Sequence, residues 1–224
     1  IGGGGIVIDG GFLGTTANFA LTIKGGWTGT TAGAVNTLDP SEFNVSFSIV
    51  GWNGDVTLSN ILIQNVVQGD VTNNSALNIE TTKKIVLTNV QVNNNTDPGA
   101  GTVNGAHLDS DDGNPLTVGD VTITNSKFNG NEVDGLNVIT DGSITWSGVI
   151  ANGNTGGNGV TLNNIAAAPV AKNVTLTTGM FEFNDNGDTG LVIWSKGAIT
   201  LQDITANHND TDGAYLDNLA GTGN

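Results

Sequence analysis

The chain has 224 residues, of which 37% are hydrophobic and only 5% aromatic, while 34 are glycine. This composition disfavours a wide globular core and favours a narrow aliphatic one with many tight turns, because glycine and asparagine accept the backbone geometry of such turns. The chain carries 21 acidic residues against 6 lysines and no arginine, for a net charge of −15, so its surface repels nucleic acid and anionic membranes. Cysteine is absent, which excludes a disulfide framework, and no apolar run approaches the roughly 20 residues of a membrane span.

Residues 1–55 are the least regular part of the chain. Three segments in it have the apolar, β-branched character of strands, namely 6–8, 20–23 and 47–50. Glycine-rich and threonine-rich stretches between them predict turns rather than helices.

A three-part phrase recurs from about residue 56 onward. Its parts are a β-branched strand, an apolar residue before Asn-x-Asn, and Gly-apolar-x-apolar, as in 121–123, 128–131 and 135–138. The glycines that open the third part (Gly105, Gly135, Gly159, Gly190 and Gly213) recur at intervals of 23 to 31 residues. Each phrase therefore predicts three short strands with period-2 alternation, and stacking of successive phrases supplies a shared core.

The predicted fold is all-β: a parallel β-helix solenoid with three short strands per coil and about eight coils. We expect one domain over 1–224, with irregular first coils in 1–55 and regular repeats in 56–224, forming a segment of a longer chain. Tyr215, Asn137 and Thr161 should face outward, and the alternate positions should face the core: Leu136, Val138, Val160, Leu162, Leu191, Ile193 and Leu216. Stacked Asn-x-Asn turns should form ladders of side-chain amides.

Three stretches carry a resemblance to a known family: 21–27, 199–207 and 212–218. They resemble the right-handed parallel β-helix repeat proteins, the pectate-lyase-like superfamily in the broad sense. They are similar in particular to the long secreted surface repeat proteins of filamentous bacteria. The resemblance implies a right-handed solenoid located outside the cell or at the cell surface. It leaves the activity open, because this architecture hosts lyases, hydrolases, adhesins and inert scaffolds.

Enzymatic activity finds little support in the residues. The lyase and polygalacturonase mechanisms that the resemblance suggests depend on arginine, which this chain lacks. Glycoside hydrolysis needs two carboxylates facing one sugar, and the candidates on adjacent coils are Asp185 with Asp210, and Asp188 with Asp212. The alternative is that these acids are solvated surface in Gly/Asn turns. We therefore assign no catalytic residue and favour a non-catalytic protein.

Acidic residues cluster in one loop. Asp109, Asp111 and Asp112, with Gly113 and Asn114 beyond them, form an oxygen-rich candidate site for Ca²⁺. The alternative is an acidic loop that only keeps the protein soluble. His107 and His208 have no Cys or second His at metal-ligand spacing, so we expect no transition-metal site. His107 holds the outward position of its strand and His208 the middle of an Asn-x-Asn turn, so we expect both at the surface. No other cofactor is indicated.

The residues favour a structural or adhesive extracellular protein that forms fibres or sheaths or binds surface polysaccharide. Its predicted partners are copies of itself, end to end, and polysaccharide, without nucleic acid or membrane insertion. One alternative is a polysaccharide-degrading glycoside hydrolase. A second is ice binding through stacked Thr-x-Thr pairs, such as Thr122 with Thr124, although threonine suits the solvent face of any strand.

Overall fold

The computed structural model describes residues 4–27, 36, 38–99, 102–111, 118–165 and 171–218. Within them the chain forms two parallel β-sheets, and from β4 onward it passes back and forth between the sheets. Strands are numbered in chain order. The first sheet consists of β1 (Ile6–Asp9), β4 (Phe47–Trp52), β6 (Ser75–Thr81), β8 (Asn104–Asp109), β10 (Leu136–Ile139), β12 (Val160–Asn164), β14 (Leu191–Ser195) and β17 (Ala214–Asp217).

The second sheet is built on five longer strands. It consists of β2 (Leu21–Lys24), β5 (Val56–Gln64), β7 (Ile85–Asn93), β9 (Val121–Lys127), β11 (Ile144–Ile150), β13 (Val174–Glu182) and β15 (Ile199–Leu201), with β3 (Ser41–Phe43) beside β5 and β16 (Ile204–Thr205) beside β13. Neighbours in each sheet are about one phrase apart in sequence, so the parallel repeating architecture predicted from the sequence is confirmed. It is compatible with a β-helix-like solenoid.

One left-handed residue interrupts each long strand of the second sheet. These residues have a φ between 48° and 89°: Asn60, Asn89, Asn125, Gly148 and Gly179. Asparagine and glycine tolerate this conformation at low cost. Pairing between β5 and β7 continues on both sides of Asn60 and Asn89 but skips these two residues.

The core lies on the inward faces of the strands. All of the predicted inward residues of β10, β12 and β14 are fully buried, among them Leu136, Val160 and Leu191. Leu216 on β17 keeps the register opposite Ile193 but is 48% exposed, because β14 is its only partner strand within the described residues. The predicted inward-facing register of Leu216 is therefore confirmed, although its side chain is not buried.

The first coils contain two helical turns that the sequence analysis missed. The helix α1 (Gly10–Leu13) and a 3₁₀ helix (Gly14–Asn18) follow β1. The Asp9 side chain caps α1 by accepting a hydrogen bond from the backbone nitrogen of Gly11 at 2.7 Å. Among the residues that the structure describes, no helix has both the length and the apolar character to cross a membrane.

Candidate functional site

Asparagines from five successive repeats form a continuous amide ladder, and all of them except the part-buried Asn209 are buried. The asparagine ladder consists of Asn95, Asn131, Asn154, Asn186 and Asn209, each donating from Nδ2 to Oδ1 of the next at 2.9–3.1 Å. The same Oδ1 atoms also accept backbone N–H bonds, for example from Asn131 to Asn154 at 3.0 Å. The predicted stacking is confirmed. Because these amides are mutually bonded and, apart from that of Asn209, buried, their role is structural.

A second ladder uses the first asparagine of each Asn-x-Asn turn. The Oδ1 atoms of Asn93, Asn129, Asn152 and Asn184 accept the backbone N–H of the equivalent residue in the next coil at 2.7–3.0 Å. Hydrogen bonds within the two ladders occupy most polar side-chain atoms of the Asn-x-Asn turns, so few of these atoms remain to bind a ligand.

Ligand-competent side chains lie instead on the outer face of the first sheet. Strand register aligns two rows across this polar face. The first row contains Asn78, His107, Asn137, Thr161, Val192 and Tyr215. The second contains Glu80, Asp109, Ile139, Asn163, Trp194 and Asp217. Amide and carboxylate groups dominate one end of the face, and two aromatic residues lie at the other.

A bonded polar cluster marks the first end of the polar face. Asn78 is fully buried and donates from Nδ2 to Asp70 at 3.1 Å and to Glu80 at 3.0 Å. Asn73 donates to the Oδ1 of Asn78 at 3.2 Å and to the same Glu80 oxygen at 3.1 Å. Asp70 in turn accepts from the backbone nitrogen of Ser75 at 2.8 Å. The four polar side chains form one preorganised network, which we call the Asn78 cluster (Asp70, Asn73, Asn78 and Glu80).

His107 and Asp109 extend this cluster onto the next strand. Both pair in register with it, His107 opposite Asn78 and Asp109 opposite Glu80. Burial lowers the pKa of His107, an effect that the carboxylates of Asp109, Glu80 and Asp70 partly offset. Burial is also the main cause that raises the pKa of Asp109. His107 is thus half-buried among acids rather than at the open surface, contrary to expectation.

His208, by contrast, is at the surface as predicted. Its side chain is 84% exposed, with Nδ1 3.5 Å from Oδ1 of Asp185, itself 67% exposed. Exposed pairs of this kind contribute little stability. The other acids considered for hydrolysis are exposed as well: Asp188, Asp210 and Asp212. Their exposure agrees with the alternative that these acids are solvated surface residues in Gly/Asn turns.

The predicted calcium loop is described only in part. The backbone nitrogen of Asp111 donates to Oδ1 of Asp109 at 2.9 Å, and Asp112 lies outside the described residues. Within the described ranges, no three His, Cys, Asp or Glu side chains are grouped so as to hold a metal ion. Since the predicted set includes Asp112, the calcium site stays a prediction.

The threonine rows lie in register on the second sheet. One row is Thr22, Thr57, Val86, Thr122, Thr145, Thr175 and Thr200. The neighbouring row runs from Ser59 to Ser147 and then shifts by one residue at Thr178. Val86 and this shift interrupt a regular hydroxyl array. Ice binding stays a prediction.

The Asn78 cluster escaped the sequence analysis because its members come from a loop and from a strand. The one local signal is Asp70 followed by Asn73, a pattern typical of a side-chain-capped turn. No family model, curated protein or solved structure matches this chain.

Proposed function

We propose that the chain is a right-handed parallel β-helix with three strand segments per coil, whose polar face binds polysaccharide at the cell surface. The left-handed residues of the long strands support three segments per coil. Each of them divides a second-sheet strand into two segments, and the first-sheet strand of the same coil is the third segment. Crossovers between parallel strands of one sheet are right-handed in about 98% of cases, which supports the handedness.

The arrangement of the polar face is the observation that carries the binding function. A polysaccharide offers hydroxyl groups and apolar ring faces in alternation. The part-exposed side chains of Asn73, Glu80, His107 and Asp109 supply donors and acceptors at one end of the face, and buried Asn78 and Asp70 hold Asn73 and Glu80 in place. Trp194 and Tyr215 supply aromatic surfaces at the other end, and Tyr215 is 47% exposed. Rigid aromatic side chains give contact area at a small entropic cost.

The net charge of the protein restricts the class of polysaccharide that it can bind. The net charge of −15 disfavours polyanions, because like charges repel across the whole surface. The preferred ligand is therefore a neutral polysaccharide. A repeating solenoid offers a long face of this kind, which suits an adhesive or structural role on or between cells.

Affinity electrophoresis in gels containing neutral polysaccharides tests this function. Retardation by at least one polymer is expected, and Tyr215→Ala combined with Trp194→Ala should weaken it about tenfold or more, because each aromatic contact contributes on the order of 1 kcal/mol. Phe19→Ala is the matched control, since Phe19 is a 73% exposed aromatic outside both rows. Equal retardation of all three proteins, or none by any neutral polymer, would contradict the proposal.

Glycoside hydrolysis is a second candidate, favoured by one observation. Glu80 and Asp109 are register partners on adjacent strands of the polar face, and a carboxyl pair flanking a sugar is the minimum equipment for this reaction. The test is release of reducing ends from any polymer that binds. Glu80→Gln and Asp109→Asn should each abolish release while binding is kept in part through their amide groups, and Asp185→Asn, a change in an exposed acid, should affect neither. Binding without release leaves the protein non-catalytic.

A further inference from the structure

An apolar cavity opens at the end of the polar face, where β1 and β4 meet the loop before β6. We call it the valine pocket, after Val7, Val50 and Val71, which line it with Ser48 and Asp70. Its volume is about 270 Å³, just below the roughly 300–1,000 Å³ typical of small-molecule sites. Val7 and Val71 are 61% and 102% exposed, so two apolar side chains stand at its mouth. An occupant must be small and partly apolar.

Ser48 is the polar group of this pocket that lacks a partner. Its neighbours Phe47 and Ile49 face the core, whereas Ser48 belongs to the opposite face of β4, yet it is only 3% exposed. Its Oγ has no hydrogen-bond partner among the described residues. A buried hydroxyl without a partner is unfavourable. Ser48 lines the pocket, so its buried hydroxyl is a donor beside the cavity that makes no bond inside the protein.

Asp70 does not make the pocket a cation site. Its carboxylate already accepts hydrogen bonds from the backbone nitrogen of Ser75 at 2.8 Å, that of Thr72 at 3.1 Å and Nδ2 of Asn78 at 3.1 Å. These bonds fix the loop that forms the pocket wall, so the cavity is preformed. The net charge of −15 also disfavours an anionic occupant. The occupant that fits is neutral.

We propose that the valine pocket binds the acetyl group of an acetylated sugar residue. The acetyl carbonyl accepts a hydrogen bond from the Ser48 hydroxyl, and the methyl group packs against the three valines. The pocket adjoins the polar face, because Ser48 pairs in register with Asn78. The inference rests on the proposed function, since it assigns one subsite of the same polysaccharide-binding face and selects acetylated over unacetylated polymers.

Two tetrasaccharides with the same β-1,4 backbone isolate the acetyl group. Chitotetraose carries an acetamido group on every ring, and cellotetraose carries hydroxyls instead. Isothermal titration of the protein with each sugar should show about tenfold tighter binding of chitotetraose, the scale of one well-placed group in a pocket. Ser48→Ala and Val71→Asn should each reduce this preference several-fold, with cellotetraose affinity unchanged. Val118→Asn, at a 38% exposed valine outside the pocket, should leave it intact.

The outcomes separate this inference from the function on which it rests. Equal affinity for both tetrasaccharides, or a preference that survives both pocket variants, overturns the acetyl subsite and leaves polysaccharide binding in place. Absence of binding to either sugar, together with unretarded migration in every neutral polysaccharide, overturns both. Both pocket variants are expected to fold. Val71 is fully exposed, and Ser48→Ala removes a hydroxyl that makes no bond in the protein.

Discussion

Gly135 lies so close to Asn154 that a β-carbon at residue 135 would come within 2.6 Å of the Asn154 amide nitrogen. The same relation links Gly105 to Asn131 at 2.5 Å and Gly159 to Asn186 at 2.7 Å. The glycine that opens each third-part strand is therefore required by the asparagine ladder of the next coil. Two features that look independent in the sequence are one packing unit.

Gly135→Ala should destabilise the protein by about 3 kcal/mol, because the added methyl must displace a buried amide or the backbone carbonyl of Gly159, which would be 2.5 Å away. Denaturant unfolding followed by circular dichroism measures this loss. Gly99→Ala is the matched control, since a β-carbon there would meet only the Asp97 side chain, at 3.3 Å. Equal unfolding free energies for the two variants would contradict the link between glycine and ladder.

Asn154→Ala should cost about 3 kcal/mol, because it removes three bonds of a buried network. Asn154 Oδ1 accepts from the backbone and side-chain nitrogens of Asn131, and its Nδ2 donates to Asn186 at 2.9 Å. The loss leaves the buried Asn131 backbone N–H without that acceptor. Asn137→Ala, a change in an outward asparagine of the neighbouring strand, should cost less than about 0.5 kcal/mol. Similar losses in both variants would mean that the ladder adds no special stability.

Period-2 alternation and the spacing of Asn-x-Asn turns sufficed to predict the parallel architecture, the core rows and the ladder, because these features depend on contacts between equivalent positions of neighbouring coils. Sites made by loops could not be predicted in this way. His107 was expected at the surface because its position in β8 points outward, yet the loop carrying Asp70 covers that part of the face. Thr161 points outward but is buried, with Asn158 donating to its hydroxyl at 3.1 Å. The position of a loop over a sheet leaves no periodic pattern in the sequence, so it could not be predicted.

Asp134 gives the protein a defined pH dependence. Burial, with a smaller contribution from Asp188, raises the pKa of Asp134 above its ordinary value of 3.8. The folded state then holds more protons than the unfolded state between 3.8 and the raised pKa, so stability falls as pH rises through that window. In the wild-type protein the Asn158 backbone nitrogen donates to Oδ1 of Asp134 at 2.7 Å. Asp134→Asn keeps an Oδ1 atom that can accept this bond. The variant should be more stable than wild type at neutral pH, and its advantage should shrink toward pH 3.8.

Chemical unfolding of wild type and Asp134→Asn at neutral and acidic pH measures this difference. Asp212→Asn, at an exposed acid, controls for the loss of one negative charge. An advantage of Asp134→Asn that is the same at both pH values, or no larger than that of the control, would contradict burial as the cause.

The acidic loop gives a calcium prediction. If Asp109, Asp111 and Asp112 hold Ca²⁺, titration calorimetry of wild type should give a binding heat that Asp111→Asn weakens at least tenfold, since one of three carboxylate ligands is lost. Asp203→Asn, at an exposed acid far along the chain, should leave the titration unchanged. No heat in wild type would leave the loop as acidic surface.

The last prediction concerns association of copies through strand edges. Within the described residues, β17 pairs only with β14, and β15 and β16 pair only with β13, so their outer edges carry backbone groups open to another chain. Leu216 is 48% exposed at this edge, whereas its register partner Ile193 is fully buried. Axial pairing of copies would bury Leu216 and continue the core. The net charge of −15 opposes such contact at low ionic strength, and salt screens it.

Multi-angle light scattering at low and moderate salt tests this association. The mean mass of wild type should rise with concentration and with salt, as unlike ends add without closing a ring. Leu216→Glu places a charge in the contact and should keep the protein monomeric, while Thr211→Glu, at an exposed turn residue, adds the same charge outside β17. Masses that stay monomeric for all three proteins at every salt concentration would show that this edge does not pair with another copy.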